Sequence, residues 1–225
     1  MERAKGRFIV LAAVAGLVAF AGDFLVTIVL GFFYPNYHHL KLVMSELGAP
    51  GSPVAVWIGL WWVVFGLLFI ALAIGFAVAF AAGKRSVLVV PLLIGLFGLG
   101  AGIGVGLFPM DPAGAQTARA GELHDVFAGT GFFALAFVPL VSLAVFPRQH
   151  APGMHWLSIA VFVLGLISLV LFVISEDVPS AQGILLYTGL WQRLFLLTHY
   201  TYLGVVALLM IRSTRTPSAK EANDA

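Results

Sequence analysis

Six long, uninterrupted apolar stretches dominate this chain and leave it almost no way to fold in water. A run of about 20 apolar residues matches a hydrocarbon core of roughly 30 Å at the helical rise of 1.5 Å per residue. In lipid, only helices and closed barrels satisfy their own backbone polar groups. The runs here are continuous rather than alternating, so helices are predicted. The expected spans cover about residues 7–33, 53–82, 87–108, 123–146, 156–174 and 184–211, making residues 1–211 one all-α, six-helix transmembrane domain. Residues 212–225 are polar and contain proline, and are expected to form a disordered cytoplasmic tail. The chain is 61% hydrophobic and only 10% charged, against about a quarter charged in soluble domains. Met1–Arg7 and Ala19-Phe20-Ala21 have the outline of a signal peptide, but the apolar run continues to Leu30. That is too long for a signal h-region, so a retained first span is expected.

The charges sort to opposite ends of the spans. Arg3, Lys5, Arg7, Lys84, Arg85, Arg148, Arg212, Arg215 and Lys220 flank one set of ends. The other set carries Glu46, Asp111, Glu122, Asp125, Glu176 and Asp177 with His38, His39 and His124, against only Lys41 and Arg119. Positive loops stay in the cytoplasm, so both termini are expected inside, in the inner (plasma) membrane. The net charge of +2 reflects this bias in short loops, so membrane lipids rather than nucleic acid are the expected partners. There is no cysteine, which excludes a disulfide framework, a thiolate metal site and a cysteine nucleophile.

Gly98, Gly102 and Gly106 recur at helical spacing in the third span. Small residues let helix backbones approach closely in lipid, so this span is expected to sit centrally. Pro91 and Pro139 are expected to kink the third and fourth spans, and the five tryptophans to anchor span ends at the interface.

Two charges lie inside the spans. Asp23 and Arg193 each stand about ten residues from the outward end of their helices, roughly 15 Å deep. Buried ionisable groups in membrane helices pair or line wet cavities, so the two are expected to approach each other as a structural ion pair or a ligand-binding pair. His199 lies deeper on the sixth span and shares a face with Gln192. It is expected to be an interior hydrogen-bonding residue or a ligand.

The outward loops hold the remaining chemistry. Tyr37–Leu47 is amphipathic enough to predict a short interfacial helix, with Leu40, Val43, Met44 and Leu47 as its apolar stripe and Ser45 and Glu46 near its end. Asp111 follows the third span and His124 opens the fourth. Histidine with carboxylates could hold Zn²⁺, with His124 and Asp111 as ligands, although no HExxH or comparable spacing occurs. A metal-free arrangement would use Ser45 as nucleophile, His124 as general base, and Asp111 or Glu122 to orient it. Helix capping accounts equally for the two carboxylates.

With Ser45-Glu46-Leu47-Gly48 after the first span, Phe108-Pro109-Met110-Asp111 closing the third and His124 opening the fourth, the chain resembles a family of prokaryotic six-helix membrane proteins catalogued as domain of unknown function 998. The resemblance covers roughly residues 8–211 and implies a six-helix bundle with a site near Ser45, Asp111 and His124. More distantly, the chain is similar to the alkaline ceramidase and adiponectin-receptor-like membrane hydrolases, which combine a Ser, an Asp and three His around zinc. It departs from them in its last helix, where His199 stands without a His-x-x-x-His pair, and in having six spans rather than seven.

These readings combine into a polar cavity opening outward, floored by Asp23 and Arg193 and rimmed by Ser45, Glu46, Asp111 and His124. The expected function is hydrolysis or transfer on a lipid or amphiphile. The alternatives are a small-solute transporter or channel and a structural subunit without chemistry.

Overall fold

The computed structural model describes residues 2–80, 85–111, 118–177 and 182–214. Lys84, Arg215, Lys220 and the tail beyond Thr214 lie outside the described residues, as do the side chains of Arg85 and Asp177. Six helices are long and apolar enough to cross a membrane: α1 (Glu2–Phe32), α2 (Ala55–Phe80), α3 (Val89–Leu107), α4 (Arg119–Ala144), α5 (Pro152–Asp177) and α6 (Thr188–Ser213). No strand occurs among the described residues. Gly6 lies against Thr214, so the start of α1 and the end of α6 meet at one end of the bundle. Residues 33–54 cap the opposite end, the loop end.

Local chemistry sets several boundaries. The Asp111 carboxylate accepts the Ala118 N–H at 2.7 Å. A negative charge over a helix start is favourable, and α4 begins at Arg119, ahead of its expected start. Pro152 opens α5, and Pro91 lies in the first turn of α3. A missing N–H costs nothing at such positions, so Pro91 does not break α3 as expected. Pro139 sits deeper, in α4, and the helix tightens into a 3₁₀ turn over Ser142–Ala144 just beyond it.

The third span is the most buried of the six, and its glycines explain why. A Cβ on Gly102 would stand 2.5 Å from Gly66 Cα, and one on Gly98 would stand 2.8 Å from Gly66 O. Gly106 meets Gly59 O in the same way. The Gly98/Gly102/Gly106 face therefore lies backbone to backbone on α2. The opposite face uses Gly100, whose Cβ would lie 2.5 Å from Phe127 O and 3.0 Å from Gly131 Cα of α4. Along this contact, residues Gly98–Gly104 widen into a π-helical stretch.

Midway along the bundle the rings of Phe20, Phe65, Phe69, Phe97 and Tyr200 pack together, with Phe65–Phe69 at 4.7 Å and Phe69–Phe97 at 4.8 Å between centroids. Each such pair contributes about 0.5–1.5 kcal/mol beyond its buried area. The cluster is fully dry: Phe65, Phe69 and Phe97 are buried from all solvent.

Replacing Gly102 by valine is expected to force α2 and α3 apart and cost at least about 1–3 kcal/mol, read as a lowered melting temperature of the detergent-purified protein. Gly129→Ala is the control, because nothing lies within 4 Å of a Cβ there. It should leave the melting temperature unchanged.

Candidate functional site

Between the loop end and the aromatic cluster lies a cavity of about 590 Å³ to which every helix contributes. Asp23 comes from α1, Trp62 and Phe65 from α2, and Phe97 from α3. His124, Asp125 and Phe132 come from α4, Phe172 and Glu176 from α5, and Gln192 and Tyr200 from α6. The loops add Met44, Ser45 and Met110. Phe65, Phe97 and Tyr200 belong both to this lining and to the aromatic cluster, so the cluster is the cavity's floor.

The roof is the first loop, and α6 holds it by its backbone. Leu190 N–H donates to Leu40 O at 2.8 Å, and Gly189 N–H to Lys41 O at 3.4 Å. Gln192 Oε1 accepts Met44 N–H at 2.6 Å. Arg193 donates from Nη1 to Leu42 O (3.1 Å) and Gly189 O (3.0 Å), and from Nη2 to Tyr37 Oη (2.8 Å). Position 189 must be glycine for this approach, since a Cβ would overlap Leu42 O and His39 O. These bonds replace the expected interfacial helix over Tyr37–Leu47. Carbonyls and amides that a helix would use internally are taken by α6, leaving turns that end in a 3₁₀ helix at Met44–Gly48. The apolar stripe still forms in part, with Val43, Met44 and Leu47 buried and Leu40 exposed. Asn36, at φ 64°, makes the left-handed turn after Pro35 that starts the loop back.

This roof puts Ser45 on the cavity, with no hydrogen bond from its hydroxyl among the described residues. Glu46, its neighbour, is half-buried and outside the lining, and burial raises its carboxyl above the usual range. Arg193 also lies outside the lining.

Asp23 and Arg193 do not form the expected pair. The Asp23 carboxylate accepts the Tyr200 hydroxyl at 3.0 Å and the Trp61 indole N–H at 3.3 Å. Arg193, about two turns nearer the loop end of α6, is committed to the loop carbonyls and to Tyr37. Each group finds neutral hydrogen-bonding partners at its own level, and Asp23 alone floors the cavity. Trp61 and Trp62 thereby turn inward rather than anchoring the interface, while Trp57 and Trp156 stay exposed.

His124 is buried and lines the cavity. Its Nδ1 lies 2.9 Å from Phe108 O. A carbonyl only accepts, so Nδ1 carries the proton and Nε2 keeps a lone pair. Nε2 has no partner among the described residues. Asp111 is not in the lining, because its carboxylate is the cap of α4. Among the described residues no group of three or more His, Asp or Glu gathers closely enough to hold a metal ion, so Asp111 and His124 do not fit a zinc site. His199 also lies outside the cavity. Its Nδ1 donates to Phe195 O at 2.8 Å, and its ring lies directly against Gly165 of α5.

Of the residues singled out from sequence, the cavity thus gathers Asp23, Ser45 and His124, and leaves out Glu46, Asp111, Arg193 and His199. It adds Tyr200, Trp62 and Gln192, together with Asp125, which lies beside His124 on α4. One available signal was the buried carboxylate of Asp23, which requires donors, and Tyr200 and Trp61 are donors at the matching level.

A double-mutant cycle in detergent should give a coupling of about 1 kcal/mol or more between Asp23→Asn and Tyr200→Phe, and almost none between Asp23→Asn and Arg193→Gln. The roof should also respond to pH. Both His39 ring nitrogens are buried without a partner. Burial first, and the nearby Arg193 charge second, hold its pKa below the usual 6.5. The folded state therefore prefers neutral His39, and this preference costs stability as pH falls through 6.5 toward the lowered folded value. Amide exchange at residues 40–44, corrected for its intrinsic pH dependence, should accelerate below about pH 6.5. His39→Gln should abolish that step.

No curated protein and no solved structure gives a significant match to this chain. The family described as "Protein of unknown function (DUF998)" matches residues 9–209, and with its six apolar helices the chain is a multi-pass membrane protein that belongs to this family.

Proposed function

We propose that this protein is a hydrolase or transferase acting on a lipid or amphiphile, with Ser45 as nucleophile and His124 as general base. One observation carries the reading: a free hydroxyl and an imidazole Nε2 lone pair open onto the same cavity, whose walls below them are aromatic. His124 Nε2 takes the Ser45 proton as the oxygen attacks an ester or amide carbonyl. The leaving alcohol or amine departs with that proton, and water or an acceptor alcohol releases the acyl group by the same steps in reverse. The Phe108 carbonyl does the orienting that a carboxylate does in other triads, since it fixes the tautomer that leaves Nε2 basic. The basic residues at the other end of the bundle place this site on the extracytoplasmic face. A continuous permeation path is disfavoured by the floor, where Phe65, Phe69 and Phe97 are fully buried.

Fluorophosphonates modify activated serines, so the test is labelling of the detergent-purified protein. The wild type should label, Ser45→Ala should abolish labelling, and His124→Ala should slow it by at least about 100-fold. Wild type that does not label, or labelling that persists in Ser45→Ala, would overturn the reading.

A further inference from the structure

The cavity lining is charged in one sense only. Asp125 and Glu176 stand at its loop-end rim and Asp23 at its floor, and among the described residues no Lys or Arg belongs to it. Arg193, the one cation buried at this level, is turned to the roof carbonyls and Tyr37. A carboxylate or phosphate head would meet three acids here and no counter-charge. Desolvating an anion without a counter-charge is prohibitive.

A second feature concerns the wall. Gly129 and Phe133 of α4 and Val173 of α5 line the cavity, yet they are also exposed on the flank of the bundle. Phe133 is 65% exposed and Val173 46%. A residue that faces both the cavity and the outside marks a gap in the wall, here between the loop-end halves of α4 and α5. The gap is apolar toward mid-bundle, through Phe132, Phe133 and Val173, and acidic toward the loop end, through Asp125 and Glu176. An amphiphile lying in a leaflet has the same polarity profile. A third feature points to an occupant. His124, only 4% exposed, aims Nε2 into this cavity without a partner, and a lone pair accepts from an ammonium N–H.

We infer that the ligand of this cavity is an amphiphile bearing a basic amine, which enters sideways through the gap between α4 and α5. Its ammonium lies between Asp125, Glu176 and His124, and its alkyl chain lies along Phe132 and Phe172. Buried Trp62 offers an aromatic face, which attracts ammonium groups further. This inference names the substrate class of the reading above and rests on the same cavity, but it concerns binding and needs no turnover.

The test therefore uses the Ser45→Ala full chain in nonionic detergent, so that a failed serine mechanism leaves it intact. Radiolabelled dodecylamine is bound to the immobilised protein and competed with dodecanol and dodecanoate. The amine should bind at least about 10-fold tighter than either competitor, equivalent to about 1.4 kcal/mol. Asp125→Asn with Glu176→Gln should bring that preference below about 3-fold while leaving dodecanol competition unchanged. Both residues are exposed, so the fold should tolerate the change. Gly129→Trp fills the gap without a clash, since nothing lies within 4 Å of its Cβ, and should slow exchange of the bound label at least about 10-fold. Dodecanoate competing as well as the amine, or a preference that survives the double substitution, overturns the assignment of class. Unchanged exchange in Gly129→Trp overturns the lateral route.

Discussion

Close contact of backbones at glycine is the constraint on which this bundle rests. Apolar side chains gain little by leaving lipid for one another, so helices associate through dispersion and fit. In α3 that fit is two-sided: Gly98, Gly102 and Gly106 meet α2, while Gly100 meets Gly131 of α4. With α2, α3 and α4 drawn together, the space for a cavity is left on the other flank. There α4 and α5 separate toward the loop end, and bulky rings rather than glycines line the gap.

The polar residues follow the same logic of local satisfaction. A charge in a membrane interior was expected to find the opposite charge, yet Asp23 and Arg193 each settle for neutral donors and acceptors within their own layer. Arg193 uses carbonyls exposed by a loop that forms no helix, and Asp23 uses a phenol and an indole. The carboxylate of Asp111 does likewise, capping α4 instead of serving a catalytic centre. What remains for chemistry is the hydroxyl of Ser45 and one nitrogen of His124, groups whose geometry is supported by backbone rather than by other side chains.

The spans and the glycine face of α3 were legible in the sequence because both are periodic and local: apolar length predicts a span, and repeated small residues predict a close helix contact. Ser45, His124 and Asp23 were also found, since polar groups at the end or middle of an apolar run stand out. The pairing of Asp23 with Tyr200 was not legible, because depth along a helix constrains height but not rotation, and two residues at one level can face different neighbours. The course of the first loop was hidden for a related reason. Its pattern suits a helix, but the decisive bonds come from α6, far away in sequence. Trp61 and Trp62 misled because composition near a span end suggests an interfacial anchor, whereas a buried carboxylate nearby recruits the indole instead.

The roof clamp carries a mechanical consequence. Gln192 and Arg193 hold the roof, and Leu196 and Tyr200, one and two turns on, form part of the wall and floor. Top and bottom of the chamber are thus mounted on a single rod. Any turn of α6 about its own axis would strain the roof bonds and swing the Tyr200 hydroxyl relative to Asp23 in the same motion. Admission at the top and polarity at the base are therefore geared together and cannot be adjusted one at a time.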